Sequence, residues 1–187
     1  MIDYNKLSQT AHEAALKNGW YEGEQVSINT KLALIKSEAY EAFEAFRKGE
    51  YCKYDTNSIF SLFDDYKLDF ATERFKSLIK DTFEDEIADT VIRICDFCGW
   101  YGIELGEVKK LQTKPKGRFD SDLVSIDKLI TATYDIVEKD VLSTSLTCLL
   151  GTLESIAEVY NFNLEQHINL KLAYNATRGY KHGGKKL

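Results

Sequence analysis

The sequence predicts an all-α protein built as a helical bundle, and three observations support this fold class. Apolar residues recur at three- and four-residue spacing along most of the 187 residues, as in helices that bury one face. The chain contains one proline, the residue that most often interrupts helices. No segment shows a convincing run of the alternating apolar and polar residues that mark a half-buried strand.

The first half of the chain contains four predicted helical segments. They cover residues 4–18, 28–48, 58–80 and 81–101. Glycines typical of helix C-termini end three of them: Gly19, Gly49 and Gly102. Segment 81–101 is apolar over much of its circumference, so we expect it to be the central helix. A short amphipathic segment follows at residues 104–114.

The second half contains the best candidate for a linker and three further predicted helices. Residues 113–121 hold the only proline, Pro115, together with Gly117 and several charges, which favours a linker. The helices that follow are predicted at residues 122–139, 141–160 and 164–178. The glycine-containing residues after them are expected to form a loop.

The charge is uneven along the chain. A net charge of −6 argues against non-specific binding to nucleic acid or to acidic membranes, because nothing global offsets the repulsion of phosphates. The stretch 171–186 nevertheless carries only basic charges: Lys171, Arg178, Lys181, Lys185 and Lys186. Such a stretch indicates either a specific anionic ligand or a solvated, frayed C-terminus.

The four cysteines point to core thiols in a cytoplasmic protein. Residues 1–19 carry charges and no apolar run, so they do not resemble a signal peptide, and no stretch approaches a membrane span. A reducing compartment is therefore expected. Cys95 and Cys98 have CxxC spacing, but they lie in an apolar helical run without a second pair at zinc-ligand spacing.

Two acidic pairs are candidates for a metal site. Glu38 and Glu41 lie three residues apart, as do Glu86 and Asp89, so each pair shares one helical face. Two such helices side by side would aim four carboxylates at one space, and magnesium prefers oxygen ligands. Surface acids are a common alternative for each pair alone, and Arg93 could also pair with Asp89.

Three motifs carry a resemblance to a known family. They are KLALIKSEAYEAFEAFRKG from residue 31, FEDEIADTVIRICDFCGWYGIEL from residue 83 and KLAYNATRGYKHGGKK from residue 171. In this order they resemble the MazG-like, all-α nucleoside triphosphate pyrophosphohydrolase superfamily, and the likeness spans most of residues 10–105 and 165–187. The resemblance implies hydrolysis of a nucleoside triphosphate, ribo- or deoxyribo-, to the monophosphate and pyrophosphate, with Mg²⁺ as cofactor or Mn²⁺ in its place.

The resemblance also implies roles for single residues. Glu38, Glu41, Glu86 and Asp89 would hold magnesium, and Glu38 or Glu41 would serve as the catalytic base. The residues implied to contact substrate are Trp20, Lys171, Asn175, Arg178, Lys185 and Lys186, with Lys31 and Lys36 as weaker phosphate candidates. Trp20 is equally consistent with a purely structural place in the core.

The first of two departures from the family pattern concerns Ser37, and it keeps alternative functions open. The family commonly has two adjacent glutamates where this chain has Ser37 before Glu38, which leaves open a weakened nucleotide-binding protein or a structural helical protein of the same fold. A related enzyme with narrower substrate choice, such as a dUTP or phosphoribosyl-ATP pyrophosphohydrolase, is a further alternative.

The region between the second and third motifs also departs from compact family members. Residues 114–163 lie there, and residues 122–178 weakly resemble 1–113, with 179–187 as a basic tail. This indicates either one domain over 1–187 that forms a homodimer, or a monomeric pseudo-dimer with a degenerate second copy.

Overall fold

The structure, a computed structural model, describes residues 2–23, 26–64, 68–111 and 118–184. Its helices, in chain order, are α1 (Tyr4–Lys17), α2 (Ile28–Lys48), α3 (Thr56–Asp64), α4 (Leu68–Leu78), α5 (Phe83–Tyr101), α6 (Phe119–Thr131), α7 (Lys139–Tyr160), α8 (Leu164–Thr177) and α9 (Lys181–Gly184). These ranges contain no strand, so the predicted all-α class is confirmed. None of the helices within them is both long enough and apolar enough to cross a membrane.

Helix α5 lies at the centre, as its pattern predicts. It packs against α1, α2, α7 and α8, and most of its residues are buried. Gly99 allows α1 to cross closely, because a Cβ at this position would lie 2.4 Å from the carbonyl oxygen of Ser8. Cys95 and Cys98 are buried free thiols of this helix, which confirms their place in the core.

A second, smaller apolar cluster joins α3, α4 and α8 through Ile59, Phe75, Ile79, Leu170 and Tyr174. This packing explains why the predicted continuous helix at residues 58–80 is wrong. Helices α3 and α4 contact each other, and both contact α8, which one straight helix over the same residues cannot do. No glycine or proline marks the break, and residues 65–67 lie outside the described part of the chain.

Two other boundaries differ from the prediction. The helix predicted at residues 122–139 ends at Thr131, and Asp135 in the following turn has a φ of 64°. The amide side chain of Asn29 fixes that turn, because it donates to Asp135 Oδ1 at 2.8 Å and accepts from the Asp135 N–H at 3.1 Å. The tail predicted as a loop forms the single helical turn α9, whose Lys181 N–H donates to the Asn18 carbonyl oxygen.

The predicted repeat stays a prediction, and its two proposed copies are alike at one helix end and differ elsewhere. When the two proposed copies are aligned in sequence, α5 corresponds to α7. The C-caps of these helices, Gly102 and Asn161, both adopt the left-handed conformation. Glu38 and Glu41 of α2 align with Ala132 and Asp135, and these two residues lie beyond the end of α6. The segment 104–111 is not helical and so differs from α8, onto which the register places it.

Candidate functional site

Three of the four predicted metal ligands converge where α2 packs against α5. One carboxylate oxygen from each of Glu38, Glu41 and Glu86 lies within 4.8 Å of the other two. Glu38 and Glu86 are buried, whereas Glu41 is exposed at the mouth of the group. We call these three residues the carboxylate cluster. Asp89 lies outside this set, although its charge acts on Glu38 and Glu86.

The first turn of α5 positions three consecutive acids in three directions. The Glu84 carboxylate accepts the Cys52 N–H at 2.8 Å, and the Asp85 carboxylate accepts the Asp81 N–H at 3.1 Å. Glu86 points into the carboxylate cluster. A helix N-terminus favours negative charge, so this turn can carry three acids although all are buried.

Two cations hold the acids that border the cluster. Lys171 Nζ of α8 lies 2.7 Å from Asp85 Oδ2 and 3.0 Å from Asp89 Oδ2. Arg93 Nε donates to Glu38 Oε1 at 2.9 Å. Lys171 is only 4% exposed, so in this structure it is a partner of carboxylates rather than an open phosphate-binding side chain.

The pKa values of the buried carboxylates show that negative charge at the cluster is not fully offset by the neighbouring cations. Burial, followed by the charges of Asp85, Asp89 and Glu38, raises the pKa of Glu86 to about 9 despite Lys171. Burial and Asp89 raise the pKa of Glu38 to about 7. Burial would also raise the pKa of Asp89, but Lys171 and Arg93 outweigh it and hold that pKa below its ordinary value.

A small cavity beside Asp89 brings together three residues predicted to contact substrate. Trp20, Asn175 and Arg178 line it together with Asp89 and Arg93, and its volume is about 70 Å³. The Trp20 ring makes a T-shaped contact with His182 at 5.1 Å between centroids. We call this space the Trp20 pocket. Lys185 and Lys186 lie outside the described residues.

A buried polar network forms the wall of the Trp20 pocket. The Asp96 carboxylate accepts from Lys31 Nζ and from the Tyr21 hydroxyl, both at 2.6 Å, and lies 3.2 Å from His12 Nδ1. Lys31 is therefore bound to an internal acid, which makes it a poor phosphate ligand. Sequence reasoning did not find Asp96, although its spacing of seven residues from Asp89 on one helix is a signal for a shared face.

A larger cleft opens beside the cluster. Its volume is about 700 Å³, and Glu41 and Glu86 line it. Its lining has mixed charge: three lysines that sequence reasoning did not select, Lys48, Lys53 and Lys80, and the further acids Glu44, Glu50 and Asp81, of which Asp81 pairs with Lys80. The carboxylate cluster therefore borders this cleft of mixed charge, while its neighbours Asp89 and Arg93 border the Trp20 pocket.

Comparison of the chain with protein-family models, with curated proteins and with solved structures found no match in any of the three. The arrangement of residues must therefore support a function by itself. It combines three converging carboxylates with a pocket that contains an aromatic ring and an arginine, and with a cleft that contains lysines.

Proposed function

We propose that the protein is a magnesium-dependent nucleoside triphosphate pyrophosphohydrolase. The observation that carries the proposal is the convergence of Glu38, Glu41 and Glu86 between α2 and α5. It agrees with the resemblance of three motifs to the MazG-like superfamily. Two of the three carboxylates, Glu38 and Glu86, are buried, and acids that served only as solvated surface would not be.

The chemistry of the three residues fits a hard divalent cation. Carboxylate oxygens are the ligands that Mg²⁺ prefers, and substrate phosphates commonly complete its coordination. Glu86 is buried without an ion-pair partner of its own among the described residues, and burial and the neighbouring carboxylates raise its pKa. Glu38, Glu41 and Glu86 would hold the ion, with Asp89 beside them. Bound there, Mg²⁺ would neutralise phosphate charge and lower the pKa of water.

We place the two ends of the nucleotide in the Trp20 pocket and in the larger cleft. Trp20 can stack on a base, and Asn175 and Arg178 can donate to a base or a phosphate. In the larger cleft, Lys48 and Lys53 would face the β and γ phosphates, and bound Mg²⁺ would offset the acids that line the same cleft. The α–β phosphoanhydride bond would then lie over the carboxylates, with Glu38 or Glu41 as proton acceptor for the attacking water.

This arrangement calls for no nucleophilic side chain. Phosphoryl chemistry depends mainly on positioning and on stabilisation of developing negative charge. The cavities and the charged groups on either side of the cluster can supply both. The products would be a nucleoside monophosphate and pyrophosphate.

A panel of ribo- and deoxyribonucleoside triphosphates tests the proposal. With Mg²⁺, the wild-type protein is expected to release pyrophosphate from at least one of them, detected by a coupled pyrophosphatase assay. Asp89→Asn should lower turnover at least about a hundredfold, since it disturbs Lys171, Arg93 and the metal site together. Absence of pyrophosphate across the whole panel would contradict the proposal.

A second candidate, a nucleotide-binding protein without turnover, is favoured by two observations. Ser37 occupies the position of the family's extra glutamate, and its hydroxyl donates to the Leu34 carbonyl oxygen at 2.9 Å. Arg93 donates to Glu38, so one oxygen of this proposed ligand has a protein partner. Magnesium-dependent nucleotide binding in calorimetry, without pyrophosphate release, would favour this candidate.

The oligomeric state is part of the same proposal. Helix α6 packs on α2, and α7 packs on α5, so the second half of the chain covers part of the motif-bearing pair. We propose that this cover replaces a subunit interface and that the protein is a monomeric pseudo-dimer. Light scattering should give the mass of one 21.4 kDa chain; a stable dimer or tetramer would favour the alternative.

A further inference from the structure

A third cavity adjoins the larger cleft at the proposed substrate site. Its volume is about 560 Å³, within the range of roughly 300–1,000 Å³ common for small-molecule sites. Tyr51 and Tyr54 line both the cavity and the cleft, so the two spaces meet at these rings. Both spaces also reach the first turn of α5, where Glu84 lines the cavity and Glu86 lines the cleft. We call the new space the tyrosine cavity.

The rings at the tyrosine cavity suit an uncharged aromatic group. Aromatic side chains from the segment before α3, the end of α7 and the start of α8 line it: Tyr51, Tyr54, Tyr160, Phe162 and His167. Tyr54 is exposed and Tyr51 is half-buried, so ring surface is open to a ligand. Aromatic side chains stack on nucleic-acid bases of any kind, because every base has a π-face.

The charges at the tyrosine cavity disfavour a phosphate. Asp55 and Glu84 line it, and no lysine or arginine is found among the described residues that do so. The Glu84 carboxylate accepts the Cys52 N–H, so it is part of the wall. Lys48 and Lys53 line the cleft instead. Phosphates are therefore expected in the cleft, and an uncharged group is expected in the cavity.

Two polar side chains of the cavity can recognise the edge of a base or a ribose. The imidazole of His167 is 4% exposed, and its Nδ1 has no hydrogen-bond partner within the described part of the chain. Burial lowers the pKa of His167 to about 4, so the ring is uncharged near neutral pH and Nδ1 can donate or accept. Asn161 is exposed at the C-cap of α7, where its amide offers two donors and an acceptor.

We propose that the nucleotide this site binds best is a dinucleoside polyphosphate, with its second nucleoside in the tyrosine cavity. The inference rests on the proposed function, which places the first base in the Trp20 pocket and the phosphates in the larger cleft. A second nucleoside on the terminal phosphate would reach the cavity past Tyr51 and Tyr54. Its base would stack on these rings, and its polar edge would meet Asn161 and His167.

The reaction would again be hydrolysis of the α–β phosphoanhydride bond. The bond between the α phosphorus and the bridging oxygen breaks, and a water oxygen takes its place on the α phosphorus. The proton of that water passes to Glu38 or Glu41, and the bridging oxygen leaves with the β phosphate. A dinucleoside triphosphate would therefore give one nucleoside monophosphate and one nucleoside diphosphate.

Calorimetric titration in the presence of Mg²⁺ compares two matched ligands. One is a dinucleoside triphosphate and the other is the γ-methyl ester of the nucleoside triphosphate, so the two carry the same charge. An α,β-imido linkage prevents hydrolysis of either ligand. Both carry the base of the triphosphate that the protein hydrolyses fastest, or adenine if it hydrolyses none. Wild-type protein should bind the dinucleotide about tenfold more tightly than the methyl ester, because its second base stacks.

A double variant locates the second nucleoside. Asn161→Gly/His167→Phe removes polar groups that line the cavity and not the cleft. Asn161 has a φ of 60°, which glycine adopts readily, and phenylalanine keeps a ring against Phe162, so the fold should be retained. Affinity for the dinucleotide should fall about fivefold, and affinity for the methyl ester should stay unchanged. Asn161→Gly alone, at an exposed position, should lower the dinucleotide affinity about twofold whatever His167→Phe does to the fold.

The inference is overturned if wild-type protein binds the two ligands equally or binds neither. It is also overturned if the variants keep the full preference for the dinucleotide, or if they weaken both ligands alike, which would place the first base in the cavity. Pyrophosphate release from nucleoside triphosphates is a separate measurement. Release together with equal affinities would refute this inference alone. A preference for the dinucleotide without hydrolysis would support the second nucleoside site and contradict the proposed turnover.

Discussion

Lys171 Nζ lies 2.7 Å from Asp85 Oδ2, and both side chains are almost completely buried. The pair joins α8 to the first turn of α5, next to the residues proposed to hold metal. Burial alone would lower the pKa of Lys171, but Asp89, Asp85 and Glu86 outweigh it and raise that pKa. Lys171 therefore stays charged and fixes the position of acids on α5.

Substitution of Lys171 should destabilise the fold whether or not nucleotide is present. Lys171→Met leaves Asp85 and Asp89 without their shared cation, which costs about 3–5 kcal/mol when a buried pair is broken. Urea unfolding monitored by circular dichroism measures the loss. Lys36→Met is the matched control, because the Lys36–Asp127 pair is one-third exposed and is worth about 1 kcal/mol or less. Equal losses in the two variants would contradict a structural role for Lys171.

The metal-free protein should become less stable as pH rises above neutrality. Folding raises the pKa of Glu86 from 4.5 to about 9. The folded state therefore binds this proton more tightly, and the stabilisation that it gives is complete below pH 4.5 and lost as pH rises through 9. The pKa of Glu38 is also raised, to about 7, so loss of its proton likewise lowers the stability of the fold, but at a lower pH than for Glu86.

Glu86→Gln isolates this contribution. The variant should be more stable than wild type by about 1–2 kcal/mol at pH 8 in EDTA, since it removes a buried carboxylate that lacks a cation. Urea unfolding at several pH values measures the difference, which should grow between pH 7 and 9. A difference that does not change with pH would rule out ionisation of Glu86 as its cause.

The C-terminal segment should move when a nucleotide binds. The Trp20 pocket measures about 70 Å³, far below the roughly 300 Å³ of small ligand sites. The Trp20–His182 ring contact closes it, and a hydrogen bond from Lys181 Nζ to the Glu22 carbonyl oxygen at 2.9 Å holds the segment that carries His182. A base can enter only if His182 and its neighbours are displaced.

Fluorescence of Trp20 reports this displacement. In a Trp100→Phe background, which leaves Trp20 as the only tryptophan, nucleotide with Mg²⁺ should shift the emission spectrum. His182→Ala should give part of that shift without ligand, because it removes the ring contact. Unchanged Trp20 emission at saturating nucleotide would place the base elsewhere.

Gly99 should tolerate no side chain without a shift of α1. A Cβ there would lie 2.4 Å from Ser8 O and 2.6 Å from His12 Cβ. Gly99→Ala is therefore expected to lower stability by about 1–3 kcal/mol through overpacking. Gly106→Ala is the control in thermal unfolding, since the nearest atom to its Cβ is 3.9 Å away. Little difference between the two variants would mean that α1 accommodates the added methyl group easily.

Local patterns sufficed to predict α2 and α5, because each has an apolar face and ends at a glycine with positive φ. The pairing of Glu38 and Glu41 with Glu86 was also predicted, from spacing within each helix together with the family resemblance. The helices and the spacing within each acidic pair depend on residues close together in sequence, which is where pattern reasoning is strongest, whereas the meeting of the two pairs was expected from the resemblance.

Other parts of the site depend on contacts that a linear pattern does not contain. Asp85 and Lys171 are 86 residues apart, and nothing in their own segments pairs them. The turn at Asp135 depends on Asn29, and the break between α3 and α4 depends on packing against α8. At the turn and at the break, tertiary structure overrides a pattern that would otherwise continue as helix.

Binding of Mn²⁺, followed by electron paramagnetic resonance in the presence of an α,β-imido nucleoside triphosphate, is the sharpest test of a metal site at the carboxylate cluster. Wild-type protein should immobilise Mn²⁺, Mg²⁺ should displace it, and Glu86→Gln should abolish the bound signal while circular dichroism stays unchanged. Equal Mn²⁺ binding by wild type and Glu86→Gln, or no binding by either, would contradict a divalent metal site between α2 and α5.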